Sequence, residues 1–418
     1  MSSQSNMRFN FITVANDLNP SVRNEIIDEY SAYLKNHGGE EINNFSDAAV
    51  IPTFVFVTTG GTENKILELW NNAIQQHRPA PFYLIAHSGN NSLPASLEIL
   101  ARLKNEGGKG KVIYLGDKSG KDNIPDLEEA IKQLTVYLKL KKTRIGLFGR
   151  PSDWLVASMP EPSLVRSVWG PEVLEISMDE LESSIGEIKD EEIEDEYFGF
   201  TSRSGEIKEP TKKEIKHAVK VYRAIKKLSA YYNLNALTVR CFDLVTNLKT
   251  SGCFALSKLN DDGIISACEG DLVSLVGMIW ANLITDQSIW MANPAQINEQ
   301  NNSILLAHCT APMNMLQSYK IRSHFESGLG VGIQGELSKG KVTLLRLGGK
   351  NLESIWISNG EILESGNEEN LCRTQVNIKL HGSAKPEDLL TNPLGNHLLM
   401  MRGSYTKELH NWWETFIN

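Results

Sequence analysis

The sequence lacks the features that mark several specialised protein classes. Its five cysteines are an odd number and show no CxxC spacing, so we expect reduced thiols in a cytoplasmic protein and neither a disulfide framework nor a cysteine zinc site. No apolar run approaches the roughly 20 residues that cross a bilayer. The first residues, MSSQSNMRFNF, show no basic segment followed by an apolar one, so we expect no signal peptide.

An excess of positive charge is also absent. Lys and Arg number 42 against 51 Asp and Glu, which gives a net charge of −9. Nucleic acids and anionic membranes attract basic surfaces, so we expect neither as a partner. No GxGxxG motif lies between a predicted strand and a predicted helix, and dinucleotide binding is therefore unsupported.

The remaining composition is that of an ordinary globular protein, with 41% hydrophobic and 22% charged residues over 418 positions. At roughly 150 residues per domain this length favours two or three domains. The first part of the chain alternates short β-branched or aromatic runs with helical periods, which predicts a parallel, Rossmann-like α/β domain over residues 1–155. The predicted strands are 9–14, 54–58, 82–86, 112–115 and 144–148, and the predicted helices are 21–36, 64–77, 94–105 and 126–141.

A second α/β domain is predicted over residues 156–312. A Pro- and Ser-rich stretch at 151–171 is typical of a passage between domains, and the acidic stretch 179–196 is expected to be a solvated helix or loop. The following pattern predicts helices at 212–232 and 271–284 and strands at 238–242, 288–292 and 304–309.

The last part of the chain, 313–418, is predicted to form an antiparallel β-rich domain. Closely spaced glycines and alternating β formers between 328 and 380 favour a small barrel or sandwich, and Ser358-Asn359-Gly360 is a hairpin signal. A strand at 398–401 and a helix at 407–416 are predicted to end the chain.

Polar residues stand where several predicted strands end or begin. Glu269 and Asp271 open an apolar helix, Asn293 ends one strand, His308 ends another, and His397 precedes a third. Oxygen ligands mixed with imidazole suit a divalent ion such as Mn²⁺, and α/β folds place ligands at strand ends. The alternatives are that Asp271 is a helix cap and that the strand-end histidines are hydrogen-bonded core residues.

Short motifs in consistent order give the chain a family resemblance. It resembles the L-fucose and L-arabinose isomerases, and more closely their shorter fucose-isomerase-like relatives. The matching stretches are NSLPASLE at 91–98, ACEGD at 267–271, HC at 308–309, HFESG at 324–328, and GNH at 395–397 followed by RGSY at 402–405.

The resemblance implies a fold of two α/β domains and a β-rich domain, and a Mn²⁺-dependent (or other divalent cation-dependent) homo-oligomer, a trimer or hexamer, with its active site near a subunit contact. It implies that Glu269 binds the metal and transfers a proton, and that His308 and His397 are metal ligands or their close neighbours. Twenty-four residues after Glu269 the family has a second acid, and this chain has Asn293.

The implied reaction is an aldose–ketose isomerisation through a cis-enediol, on a fucose- or arabinose-like sugar or on a charged derivative. A metal polarises the carbonyl and a carboxylate moves the proton between adjacent carbons. The amide of Asn293 can bind a metal but cannot act as a base, so Glu269 must work alone or with Asp271. The alternatives are a sugar-binding homologue without catalysis and a different carbohydrate reaction on the same scaffold.

Further residues are candidates for contact with the sugar. His324 and Glu326 either bind substrate hydroxyls or only rim the cleft, and His87, in the sequence HSGNN after a predicted strand, is the third candidate. Arg346 either pairs with an acid structurally or binds an anionic substrate group. Cys309 is expected to be a small buried residue and not a thiolate ligand.

Overall fold

The computed structural model describes residues 8–18, 20–45, 51–75, 81–116 and 124–418. These residues divide into two units, one with the chain up to Lys139 together with Trp412–Phe416, and one with Leu140–Asn411. The predicted fold class is confirmed, because the structure combines parallel α/β sheets with a closed antiparallel barrel. The division into three domains stays a prediction.

The first unit contains a five-stranded parallel sheet of order β2-β1-β3-β4-β5. Strands β1, β3 and β4 are close to those predicted because each is a largely buried, apolar run; all five residues of FYLIA in β4 are buried. The short strand β2, GEE, was not predicted, and none of its residues is fully buried. The strands are β1 (Phe9–Val14), β2 (Gly39–Glu41), β3 (Thr53–Val57), β4 (Phe82–Ala86) and β5 (Gly110–Tyr114).

Helices connect these strands and cover the sheet. Ile66 and Trp70 of one helix pack with Ile99 and Leu103 of the next in a single apolar cluster. The final helix of the chain also contributes to this unit, where the indole of Trp412 donates a 3.0 Å hydrogen bond to the carbonyl of Gln133. The helices are α1 (Pro20–Asn36), α2 (Glu63–Gln75), α3 (Ser92–Asn105), α4 (Ile124–Lys142) and the chain's last helix, α13 (Thr406–Phe416).

The second unit begins with a four-stranded parallel sheet of order β10-β9-β6-β7. Because the strands are parallel, the loops that follow them emerge at one edge of the sheet. That edge carries the Glu269 turn described below. The strands are β6 (Arg144–Phe148), β7 (Glu172–Ile176), β9 (Ala236–Val239) and β10 (Ile265–Cys268).

Seven α-helices and a small sheet also belong to this part of the chain. The small sheet has the order β14-β13-β8 and consists of β8 (Glu206–Ile207), β13 (Ser318–Arg322) and β14 (Gly332–Glu336). The helices are α5 (Pro162–Val168), α6 (Met178–Glu187), α7 (Glu194–Ser202), α8 (Lys212–Tyr231), α9 (Cys241–Leu248), α10 (Cys253–Asp261) and α11 (Leu272–Thr285).

Six antiparallel strands close into a barrel of order β11-β12-β17-β16-β15-β18. Its interior is apolar, with Trp290, Ile304, Val342, Val376 and Met400 in one buried cluster. The strands are β11 (Trp290–Asn298), β12 (Ser303–His308), β15 (Gly340–Gly348), β16 (Ser354–Ser365), β17 (Thr374–Leu380) and β18 (Leu398–Arg402), and a short helix α12 (Asp388–Thr391) lies between the last two.

The predicted hairpin at Ser358-Asn359-Gly360 is wrong, because these residues lie inside β16. Asn359 pairs with Thr343 of β15 in register and its amide group hydrogen-bonds the hydroxyls of Thr343 and Thr406. At Gly360 a Cβ would lie 2.8 Å from Cγ2 of Ile378, so glycine here allows close approach of β17 and not a turn. The predicted strand 238–242 is also shorter than expected, since α9 begins at Cys241.

No helix within the described ranges combines the length and the apolar character that a bilayer crossing requires.

Candidate metal centre

A tight turn after β10 presents Glu269. Glu269 and Gly270 both have positive φ, 64° and 71°, a conformation that side chains other than glycine adopt at a cost of about 1–3 kcal/mol. A Cβ at Gly270 would lie 2.6 Å from the carbonyl oxygen of Arg150, so glycine lets the segment after β6 pack on the turn. The amide of Ser152 donates a 2.8 Å hydrogen bond to the carbonyl of Glu269.

Asp271 serves both as a helix cap and as the partner of a histidine. Its Oδ1 accepts a 2.8 Å hydrogen bond from the amide of Ser274, which caps α11. Its Oδ2 lies 2.8 Å from Nδ1 of His397, and both side chains are fully buried. An Asp that accepts from Nδ1–H fixes the histidine tautomer and directs the Nε2 lone pair at a ligand.

His308 ends β12, and His397 immediately precedes β18. The Nδ1 atom of His308 is 2.8 Å from the hydroxyl of Thr310, which leaves Nε2 as the nitrogen available to a ligand. The rings of His308 and His397 meet edge to face, at 69°, with centroids 5.8 Å apart. A histidine that ends one strand and a histidine that precedes another therefore share one buried space.

Glu269, His308 and His397 form one buried cluster. Each can offer one ligand atom such that all three atoms lie within 4.8 Å of one another. Oε1 of Glu269 is 3.6 Å from Nε2 of His397, which is too long for a hydrogen bond. Within the described part of the chain, Nε2 of His397 is buried and has no hydrogen-bond partner.

Burial and the neighbouring groups of the cluster together set the pKa values of its members. Burial raises the pKa of Glu269, but His397, His308 and the Trp154 indole lower it by more, so the pKa of Glu269 lies below its ordinary value. Burial and the neighbouring His397 lower the pKa of His308 to about 4. Burial also lowers the pKa of His397, but the carboxylates of Asp271 and Glu269 outweigh it and raise the pKa to about 9.

This donor set fits a divalent cation. Two imidazoles and one carboxylate are ligands that borderline cations such as Mn²⁺ accept, and the unpartnered Nε2 atom of His397 is the kind of buried polar atom that a missing ligand explains. A cation that binds Nε2 replaces the proton that the two carboxylates otherwise retain there. The residues present therefore fit a metal site.

One residue that contacts the cluster was missed by the sequence analysis. Trp154 donates a 2.6 Å hydrogen bond from its indole nitrogen to Oε2 of Glu269. It lies in the Pro- and Ser-rich stretch that the sequence analysis assigned to a domain passage. The available signal was an isolated Trp in the loop after β6, at the edge where strand ends meet.

Arg346 supports the His397 side of the cluster. It is 1% exposed, and its Nη1 lies 3.6 Å from Oδ2 of Asp271. The guanidinium also donates 2.7 Å hydrogen bonds to the hydroxyls of Ser274 and Ser158. Of the two roles predicted for Arg346, the structure supports structural pairing with an acid.

Asn293 lies in β11 opposite Ala307 in the antiparallel register. Side chains alternate between the two faces of a strand, so the pairing puts Asn293 on the face of Ala307 and His308 on the other face. Its predicted roles as metal ligand and catalytic residue stay predictions.

The two other candidates of this unit lie together after β13. His324 is buried, its Nδ1 is 3.0 Å from the hydroxyl of Ser327, and its ring packs edge-on against Phe242. Glu326 is exposed in the turn that follows. Their contact with a sugar stays a prediction.

His87 belongs to the first unit and follows β4. Its Nε2 is 2.9 Å from the carbonyl of Thr58, and its Nδ1 accepts a 3.1 Å hydrogen bond from the amide of Gly89. Both ring nitrogens thus have partners inside the unit, where they hold two loops together. The predicted contact of His87 with substrate stays a prediction.

All five cysteines are free thiols in the structure. Cys309 is buried beside His308 and is outside the three-residue cluster. Cys268, the residue before Glu269, has its sulfur 3.0 Å from that of Cys241.

The chain is similar in sequence to several sugar isomerases. The chain is 26% identical over 193 residues to a sulfoquinovose isomerase of Alkalicoccus urumqiensis, which is 44% of each protein. It is 25% identical over 194 residues to a sulfoquinovose isomerase of Priestia megaterium (44% of this chain, 43% of the relative). A sulfoquinovose isomerase of a Clostridium species (strain MSTE9) is 32% identical over 92 residues, covering 22% of this chain and 21% of that protein.

The matched segments thus span less than half the length of these curated relatives. No protein-family model matches the chain. The chain is similar to sugar isomerases over part of its length.

Proposed function

We propose that the protein is a divalent cation-dependent aldose–ketose isomerase that acts on an anionic, sulfonated sugar. The observation that carries the proposal is the buried convergence of Glu269, His308 and His397, with Nε2 of His397 unpartnered in the described residues. The sulfoquinovose isomerases to which the chain is similar support the reaction class and the choice of a charged sugar.

Glu269 is the base in this proposal. Its lowered pKa keeps it ionised at neutral pH, so it can take a proton from the carbon next to the sugar carbonyl and return it to the neighbouring carbon. The electrons of the broken C–H bond form the C=C bond of an enediol, while the carbonyl π electrons move to the carbonyl oxygen. A proton passes from the neighbouring hydroxyl oxygen to that oxygen, so the new C=O bond forms as Glu269 returns its proton to the other carbon. A bound Mn²⁺ or similar cation would supply the Lewis acidity that makes this carbon acidic.

The other buried residues hold the cluster in place. His397 and His308 would bind the cation through Nε2. Asp271 orients His397, and Arg346 offsets the charge of Asp271 at 3.6 Å. Glu269 is therefore the carboxylate that remains to act as the base, since Asp271 is engaged by His397 and by the helix cap. A homo-oligomeric assembly and a cytoplasmic location stay predictions.

Isomerisation in D₂O tests the proposal directly. The purified protein with Mn²⁺ is incubated with sulfoquinovose, and with uncharged pentoses and hexoses for comparison, and NMR follows ketose formation and deuterium at C1 and C2. We expect turnover of the sulfonated sugar with deuterium incorporation, and its loss in Glu269→Gln with the fold retained. Ligand-induced thermal stabilisation without exchange or turnover would instead support the non-catalytic sugar-binding alternative.

A further inference from the structure

The loop after β6 contacts both Glu269 and the residues that support His397. The segment after β6 is held on the Glu269 turn by the Ser152 amide, and Ser158 accepts a hydrogen bond from Arg346, which lies beside Asp271. Arg240, after β9, also donates a 2.7 Å hydrogen bond to the carbonyl of Pro151. The loop between Ser152 and Ser158 is therefore fixed at both ends.

Trp154 lies in the middle of this loop and is 49% exposed. The indole N–H of a Trp donates one hydrogen bond and accepts none. Here the indole N–H reaches Oε2 of the 8%-exposed Glu269 at 2.6 Å, and the ring packs edge-on against Phe242 with centroids 4.8 Å apart. Phe242 in turn packs edge-on against His324.

We propose that Trp154 is the positioning residue of Glu269: it binds Oε2 through its indole N–H and thereby keeps Oε1 directed at the metal cluster. The geometry supports this division, because Oε1 is the oxygen that lies 3.6 Å from Nε2 of His397. The N–H is a neutral donor, so it fixes the carboxylate rotamer without protonating the base. The inference deepens the proposed function and rests on it for its effect on turnover.

The ring and the N–H can be separated by substitution. Trp154→Phe keeps an aromatic ring against Phe242 but removes the donor. Val156→Ala is the matched control, since Val156 is on the same loop, 80% exposed, and has no part in the cluster. Loss of a group that orients a metal ligand costs about 10–100-fold, so we expect kcat of Trp154→Phe to fall at least about tenfold.

In the same experiment KM for the sugar should change less than about threefold, because the sugar-binding surface remains. The Kd for Mn²⁺, measured by calorimetry, should rise at least about tenfold. The Val156→Ala variant should stay within about twofold in all three quantities. A Trp154→Phe variant that is folded and equals the control in kcat and in Mn²⁺ affinity overturns the positioning role.

A readout without turnover keeps this result separate from the proposed function. In ¹⁵N-Trp-labelled protein the indole signal absent from Trp154→Phe belongs to Trp154, and Glu269→Gln should move it because the charged acceptor becomes an amide. An unmoved signal contradicts the contact. If the wild type turns over no sugar but the signal moves and Trp154→Phe weakens Mn²⁺ binding, the proposed function fails and the positioning role stands. If Trp154→Phe turns over the sugar as fast as the wild type, the proposed function stands and the positioning role fails.

Discussion

Nδ1 of His397 lies 2.8 Å from Oδ2 of Asp271, and this contact joins the cap of α11 to the first residue before the last barrel strand. The two residues are 126 positions apart in the chain and both are fully buried. The orientation of a proposed metal ligand thus depends on a helix cap that is itself paired with Arg346.

Asp271→Asn should weaken both stability and metal binding. The amide can still cap α11, but it leaves the Arg346 guanidinium buried without its counter-charge, which costs about 3–5 kcal/mol. Mn²⁺ affinity should fall about 10–100-fold because His397 loses its orienting carboxylate. Urea unfolding and calorimetry measure the two effects. Asp286→Asn, at the exposed end of α11, is the control and should change neither.

Mn²⁺ should stabilise the folded protein. At a free concentration of about 100 times Kd, a ligand that binds only the folded state adds about 2.7 kcal/mol, so Tm should rise with Mn²⁺ and fall with EDTA. His308→Ala should abolish the Mn²⁺-dependent shift, and His381→Ala, which removes an exposed histidine, should retain it. Equal shifts in both variants would exclude His308 as a ligand.

Gly395→Ala should disrupt the support behind His397. Gly395 has φ 140°, and a Cβ there would overlap the Arg346 guanidinium, so we expect a loss of about 3 kcal/mol in the free energy of unfolding from strain and overpacking. Gly382→Ala is a matched control with positive φ and no atom within 4 Å of its Cβ, and it should cost only about 1 kcal/mol. Similar losses in the two variants would contradict the close approach of Arg346.

His87 should make stability depend on pH. Burial lowers the pKa of His87 in the folded state, so the unfolded chain takes up the proton first as pH falls. The contribution of His87 is complete above the unfolded pKa and decreases as pH falls towards the folded one. The wild type should therefore lose stability relative to His87→Gln as pH falls. The difference in unfolding free energy between the two proteins should decrease from pH 7.5 to 5.5 by at most about 1.4 kcal/mol. A gap that widens would refute a buried neutral imidazole.

The sequence predicted the parallel sheets and the three cluster residues for physical reasons. Strands such as Phe82–Ala86 and Arg144–Phe148 are apolar runs whose pattern is local. Glu269, His308 and His397 are polar side chains at strand ends, where sheet topology gathers them.

Other features depend on contacts between distant parts of the chain. Trp154 meets Glu269 across 115 positions, and no local pattern records that contact. Asn359-Gly360 has the composition of a turn, but closure of the barrel imposes a continuous strand on it. Local turn chemistry was overridden there by non-local pairing.

Closure of the barrel has a consequence for the proposed metal site. The strand after His397 is the one that joins β11 to β15, so His397 reaches its place beside His308 only when the ring of strands is complete. A barrel opened at this seam would keep Glu269 and His308 but lose the third proposed donor. Affinity for the proposed cation is thus tied to the integrity of the seam that β18 closes.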